Sequence, residues 1–69
     1  MPSSVIRQFS YDESRRRLRI TFTSGDVYDY LDVPPMIFEG LRIAPSRGRF
    51  FGMRIRDHYA FERIHIATP

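Results

Sequence analysis

The stretch Thr23-Ser24-Gly25-Asp26-Val27-Tyr28-Asp29-Tyr30 decides how this chain folds. A hairpin signal, Thr23-Ser24-Gly25-Asp26, runs directly into Tyr28-Asp29-Tyr30, and the proline pair Pro34-Pro35 then ends extended structure. A two-residue loop at Ser24-Gly25 would pair Phe22 with Val27 and Ile20 with Asp29, turning a carboxylate onto the core face. A three-residue loop over Ser24-Gly25-Asp26 pairs Phe22 with Tyr28 and Ile20 with Tyr30, and sends Asp29 to solvent. Burying an unpaired carboxylate costs far more than a slightly rarer turn. The three-residue loop is therefore expected, with both tyrosines on the core face.

Working outward, Arg17 to Thr23 reads as a strand, with Leu18, Ile20 and Phe22 inward and Arg17, Arg19, Thr21 and Thr23 outward. Val5 to Tyr11 is also extended, but neither of its faces is cleanly apolar, which predicts an edge position or a bulge. Downstream, proline in a first turn predicts a helix over 35–43 presenting Met36, Ile37, Phe38, Leu41 and Ile43. Gly40 is expected to allow close approach to the sheet, and Ala44-Pro45 ends the helix. Ser46 is a candidate N-cap for a second short helix through Arg56. In that segment Phe51, Met53 and Ile55 alternate as in a strand, whereas the cap, the basic last turn and the i,i+4 pair Phe51/Ile55 favour helix. Periodicity alone leaves the two even. Tyr59, Phe61, Ile64 and Ile66 form a loosely apolar tail, in which Ile64-His65-Ile66 is a candidate short strand. The fold expected is a single α+β domain over residues 3–66. It consists of a three-stranded antiparallel meander (5–11, 17–23, 27–31) with one or two short helices on one face. Residues 1–2 and 67–69 are expected to fray.

At 69 residues the chain is one small domain, of a size that buries only about 60% of its unfolded surface. Six Phe and four Tyr supply much of its core. Without cysteine, neither disulfides nor thiolate metal sites staple it. No signal peptide and no apolar run long enough to span a membrane is visible, so a cytoplasmic protein is expected. All eleven basic residues are Arg, against eight acids, for a net charge of +3. Arginine binds phosphate through a planar fork and stacks on bases, which points to an anionic partner. A GC-rich genome accounts for the missing Lys, though not for the net excess.

Several spaced residues together resemble the KTSC domain. They are Ser3-Ser4-x-Ile6, Tyr11-Asp12, Leu18-x-x-x-Phe22-x-x-Gly25-x-x-Tyr28-x-Tyr30, Val33-Pro34, Ala44-x-Ser46-x-Gly48-x-Phe50-Phe51 and Ile55-Arg56-x-x-Tyr59. The resemblance spans roughly residues 3–59. That module is found at the C-terminus of some lysyl-tRNA synthetases and as a stand-alone bacterial protein, and its YxY motif matches Tyr28 and Tyr30. The resemblance implies a helix over 46–56 and a link to RNA. Pro45 and Gly52 depart from the family pattern and shorten that helix.

Candidate functional residues fall into four groups. Tyr28 and Tyr30 are either base-stacking platforms or core residues, and the register argument favours the core. Arg15, Arg17 and Arg19, at the start of the second strand, are either a phosphate-tracking stripe or a solvated edge. Ser46, Arg47, Gly48 and Arg49 form either an anion site at a helix start or an ordinary cap, with the cap favoured. Arg54 and Arg56 add to the basic set. His58 and His65, near Asp57 and Glu62, lack a second ligand pair, so no metal, cofactor or catalytic set is expected, nor a small-molecule substrate. The reading is a non-catalytic nucleic-acid-binding module, for RNA of tRNA type, through an arginine-rich surface. The alternative is a protein-interaction or structural accessory module.

Overall fold

The structure, a computed structural model, describes residues 6–65. Its elements follow in the order β1 (Ile6–Asp12), β2 (Arg17–Phe22), β3 (Val27–Tyr30), α1 (Pro35–Ile43), α2 (Arg47–Arg54) and β4 (Phe61–His65). The strands form one antiparallel sheet in the order β1-β2-β3-β4. The expected three-stranded meander thus gains a fourth strand, paired to the free edge of β3. Val5, Ile66 and the segments expected to fray, 1–2 and 67–69, lie outside the described residues.

The β2–β3 loop has three residues, but they are Thr23-Ser24-Gly25 rather than 24–26. The Phe22 N–H donates to the Asp26 carbonyl and the Gly25 N–H to the Phe22 carbonyl, both at 2.9 Å. Gly25 takes the left-handed position of the loop at φ 99°, where a Cβ would clash. Leu18 therefore pairs with Tyr30 and Ile20 with Tyr28. The register differs by two residues from the expected one, and a shift of two keeps every side chain on its face. Both tyrosines stay on the core side.

Strand β1 lies at the sheet edge, and its pairing with β2 shifts register between Ile6 and Gln8. This bulge resets the alternation, so that Ile6 joins Phe9 and Tyr11 against the core. The mixed faces visible in the sequence are its signature. Tyr11 stacks on Phe38 of α1, with ring centroids 4.8 Å apart and planes 9° apart. Its hydroxyl donates to the Val33 carbonyl at 2.5 Å, and burial raises the phenol pKa, which keeps that donor protonated.

Helix α1 has the expected bounds and starts with Pro35 in its first turn. Leu41 is buried and Ile37 and Phe38 pack beside it, whereas Met36 and Ile43 are exposed, contrary to expectation. A helix buries one stripe, and these two residues, seven apart, sit together outside it. The close neighbour of Gly40 is also not the sheet. A Cβ there would lie 2.6 Å from Cζ and 2.9 Å from Cε2 of Phe50, so glycine lets α1 and α2 approach.

The segment after Pro45 is a helix. Ser46 caps α2 by accepting from the Arg49 N–H at 3.3 Å. The helix ends at Arg54 instead of Arg56. The N–H groups of Ile55 and Arg56 both donate to the Phe51 carbonyl, at 3.0 and 2.8 Å, and Asp57 turns the chain away at φ 66°. Aspartate tolerates that left-handed conformation better than most residues. Leu18, Ile20, Val33, Leu41 and Ile55 are fully buried, and Tyr30 and Phe51 complete the core. Each such side chain contributes about 1.5–3 kcal/mol by leaving water.

Candidate functional site

The two faces of the sheet carry different chemistry. On the face away from the helices, Arg19 pairs with Asp29 and Arg17 with Asp12 across the β1–β2–β3 ladder. The Arg19 guanidinium grips Asp29 with both prongs, Nε to Oδ1 at 2.7 Å and Nη2 to Oδ2 at 3.1 Å. Arg17 lies 3.8 Å from the same carboxylate and also bonds Glu62 of β4. Asp29 does point away from the core as expected, but it is only 3% exposed rather than solvated. Its two arginines cover it, and a carboxylate is buried at modest cost only when satisfied in this way. Hydrogen bonding to Asp29 raises the Arg19 pKa, which keeps that guanidinium charged. Arg15 lies 3.9 Å from Asp12. The strand arginines are thus largely neutralised, and they clamp β4 to β2 across β3.

The helix side differs. Arg47, Arg49, Arg54 and Arg56 occur in a segment, 46–56, without a single acid. Among the described residues none of the four forms an ion pair. Arg49 and Arg54 line a hollow beside the Ser46 cap, whereas Arg47 lies apart from it. Residues two apart on a helix point to opposite sides, so Arg47 lies over the Phe9 ring at 5.2 Å and donates to the Arg42 carbonyl at 3.3 Å. Arg49 turns the other way, toward β3 and β4. Arg54 lies over Phe50 at 5.8 Å. The arginines singled out from the sequence are therefore divided between both faces of the sheet, with Gly48 and Arg49 on the groove side of α2.

That groove has a volume of about 710 Å³. All five β4 residues are exposed, so the sheet extends past its helical cover. Phe61, opposite Tyr30 in the ladder, is 53% exposed. Its ring lies 5.3 Å from that of Tyr28 and 5.6 Å from that of Tyr30. Phe22 meets Tyr28 edge-on at 5.5 Å, and Phe51 of α2 closes the inner wall against Tyr30 at 5.4 Å. Arg49, Arg56, Asp26 and Asp57 stand around these rings, with Arg63 over Tyr28 at 5.4 Å. Tyr30 is at the bottom, 5% exposed, and desolvation raises its pKa. Tyr28 is only partly buried. The alternative between core and platform thus divides, Tyr30 being core and Tyr28 both core and groove wall.

Phe22, Phe61, Asp57 and Arg63 belong to this site and were not singled out as functional from the sequence. The one available signal was Phe61 in the loosely apolar tail. His58 is exposed and does not line the groove. Among the described residues no three His, Cys, Asp or Glu side chains gather as a metal site would require. Nor does any described helix have the length and apolarity to cross a membrane.

Fold and groove define a small two-layer α+β domain whose sheet overhangs its helices and exposes an aromatic floor. The sequence model of the KTSC domain matches residues 2–59, and the chain belongs to that family. The chain is 34% identical to a KTSC domain protein of Yersinia pestis whose crystal structure superposes with a TM-score of 0.87, covering 94% of this chain and 92% of that one. It is 46% identical over 61 residues to a lysine–tRNA ligase of Nostoc punctiforme, and 37% identical over 65 residues to an uncharacterized protein of Stutzerimonas stutzeri. The first match covers 88% of this chain but 11% of the ligase, and the second covers 93% and 92%. The module therefore occurs both as a small protein and within a much longer ligase.

Proposed function

We propose that this KTSC domain is a non-catalytic RNA-binding module, acting in the cytoplasm on tRNA or similar RNA. The observation that carries the reading is the set of arginines on and after α2 that form no ion pair among the described residues, beside an open aromatic groove. Unpaired guanidinium groups retain their charge for phosphate, and exposed rings offer faces to bases. Kinship with a module carried by a lysine–tRNA ligase supports RNA as the partner. Under this reading Arg49 and Arg56, which line the groove, contribute most of the arginines singled out from the sequence. Arg47 and Arg54 contribute from the flank, and Arg15, Arg17 and Arg19 least.

The test is a fluorescence-anisotropy titration with tRNA and with single-stranded RNA at two salt concentrations. Binding should weaken with salt, by about 0.7 log unit per log unit of salt for each phosphate contacted on a single strand. Affinity indifferent to salt, or no binding at low salt, would refute the reading.

A second reading rests on a different observation. Asp29 and Glu62 neutralise Arg17 and Arg19, and among the described residues β4 is the last strand of the sheet. Such an edge suits strand addition by a protein partner. Under that reading RNA would not bind, and pull-downs would recover a partner whose capture is lost on proline substitution in β4.

A further inference from the structure

We infer that the groove between α2 and the β3–β4 overhang seats unpaired nucleotides, and that it prefers bases carrying an exocyclic amino group over uracil. The inference rests on the RNA-binding reading and specifies the ligand of its site.

The geometry supplies a place for each part of a nucleotide. Phe61 is the most exposed ring of the aromatic set and stands at the open edge of the sheet. Its tilt of 44° to Tyr28 and 42° to Tyr30 means that it does not stack flat on either neighbour. One ring face remains for a base, while the tyrosines back it from below. A volume of about 710 Å³ falls in the range of sites for small organic ligands. It is too confined for a duplex, whose bases are already stacked on one another and present no free face. Arg49 on α2 and Arg56 just beyond its end stand on the helix wall, where the backbone of a strand lying along the groove would pass. They match phosphate in charge and in fork geometry.

The two carboxylates of the lining give the inference its base preference. Asp26 stands immediately before β3 and Asp57 lies in the turn after α2, both within the groove wall. A carboxylate accepts hydrogen bonds and donates none. It can accept from the amino group of adenine, cytosine or guanine, whereas the Watson–Crick edge of uracil carries two carbonyls and a single N–H. Asp57 is the better placed for this role because it is exposed, and its left-handed backbone aims a short side chain from a fixed turn.

The experiment titrates the protein with ten-nucleotide oligo(A), oligo(C) and oligo(U) and with a blunt RNA duplex, reading anisotropy and tyrosine emission together. The chain has no Trp, so emission comes from its tyrosines, and stacking next to Tyr28 should quench it. Oligo(A) and oligo(C) should bind more tightly than oligo(U), and the duplex weakest. Phe61→Ala, at a half-exposed position, should weaken oligo(A) by about tenfold or more while a thermal melt shows it still folded. Asp57→Asn keeps a residue suited to the left-handed turn and should bring oligo(U) level with the others. RNA binding that is equal for duplex and single strands, unaffected by Phe61→Ala and without tyrosine quenching, would overturn the groove inference and leave the RNA reading standing. Absence of binding to any RNA at low salt would remove both.

Discussion

The outer face of the sheet and the groove on its helix side use the same residue type for opposite ends. Outside, Arg17 and Arg19 are consumed by Asp29 and Glu62, and their product is a sheet in which β4 is tied to β2. On the helix side, Arg49 and Arg56 stand by exposed rings with no described ion pair. Charge counts therefore do not locate function in a small arginine-rich domain. What matters is which arginines have already been satisfied within the fold, since a guanidinium holding a buried carboxylate has little left to offer a ligand.

The comparison can be broken at Asp29. Asp29→Asn removes the charge that holds Arg17 and Arg19 while leaving a similar shape. It should destabilise the domain by about 2 kcal/mol, discounted from the cost of a fully buried pair because both guanidinium groups are partly exposed. Chemical denaturation would measure this. The same variant frees two arginines, so RNA affinity at low salt should rise, with a steeper salt dependence. If RNA affinity does not change, the outer face is unsuited to RNA for reasons other than neutralisation.

Gly52 sharpens the helix side. It lies within α2, and a Cβ there meets nothing within 4 Å. Gly52→Ala should stabilise the domain by roughly 0.5–1 kcal/mol through helix propensity. A loss of stability in a thermal melt would mean that the wall of the groove is packed more tightly than described. The mildest effect concerns the β1–β2 turn. Asp12 accepts from the N–H and hydroxyl of Ser14 and from the Arg15 N–H, and these bonds lower its pKa, the Ser14 hydroxyl most. A carboxyl with a depressed folded pKa adds stability that is full above its ordinary value and is lost as pH falls through the folded one. Melts across that acidic window should show a small decline for the native chain that is absent in Asp12→Asn.

How much of this was legible in the sequence follows from the kind of interaction involved. The inward set Leu18, Ile20 and Phe22 and the parity of the tyrosines were readable because alternation is local and two-valued. The exact loop was not, since Thr23-Ser24-Gly25 and Ser24-Gly25-Asp26 give the same parity and differ only in where Gly25 takes its positive φ. Strand β4 was read only in its second half, as the candidate strand Ile64-His65-Ile66, because its residues are exposed and its alternation of Phe61 and Arg63 against Glu62 and Ile64 lacks an apolar face. It is held by β3 and by Arg17–Glu62, both distant in sequence. Asp29 was placed on the correct face, but its burial depends on arginines ten or more residues away. The groove was hidden for the same reason. It exists only once Phe61 has been laid beside Tyr28 and Tyr30, with α2 standing back from them.

The central claim, that the helix side binds and the outer face holds, is tested most directly by a matched pair of double variants. Arg49→Ala/Arg56→Ala and Arg17→Ala/Arg19→Ala remove the same charge from opposite faces, and each would be measured for RNA affinity against salt and for thermal stability. The account predicts that the first loses affinity, with a salt slope shallower by about 1.4 for two single-strand phosphate contacts, and melts normally. It predicts that the second melts early and binds RNA at the native slope wherever it is folded. The reverse pattern, with RNA affinity lost only from the strand pair, would contradict it.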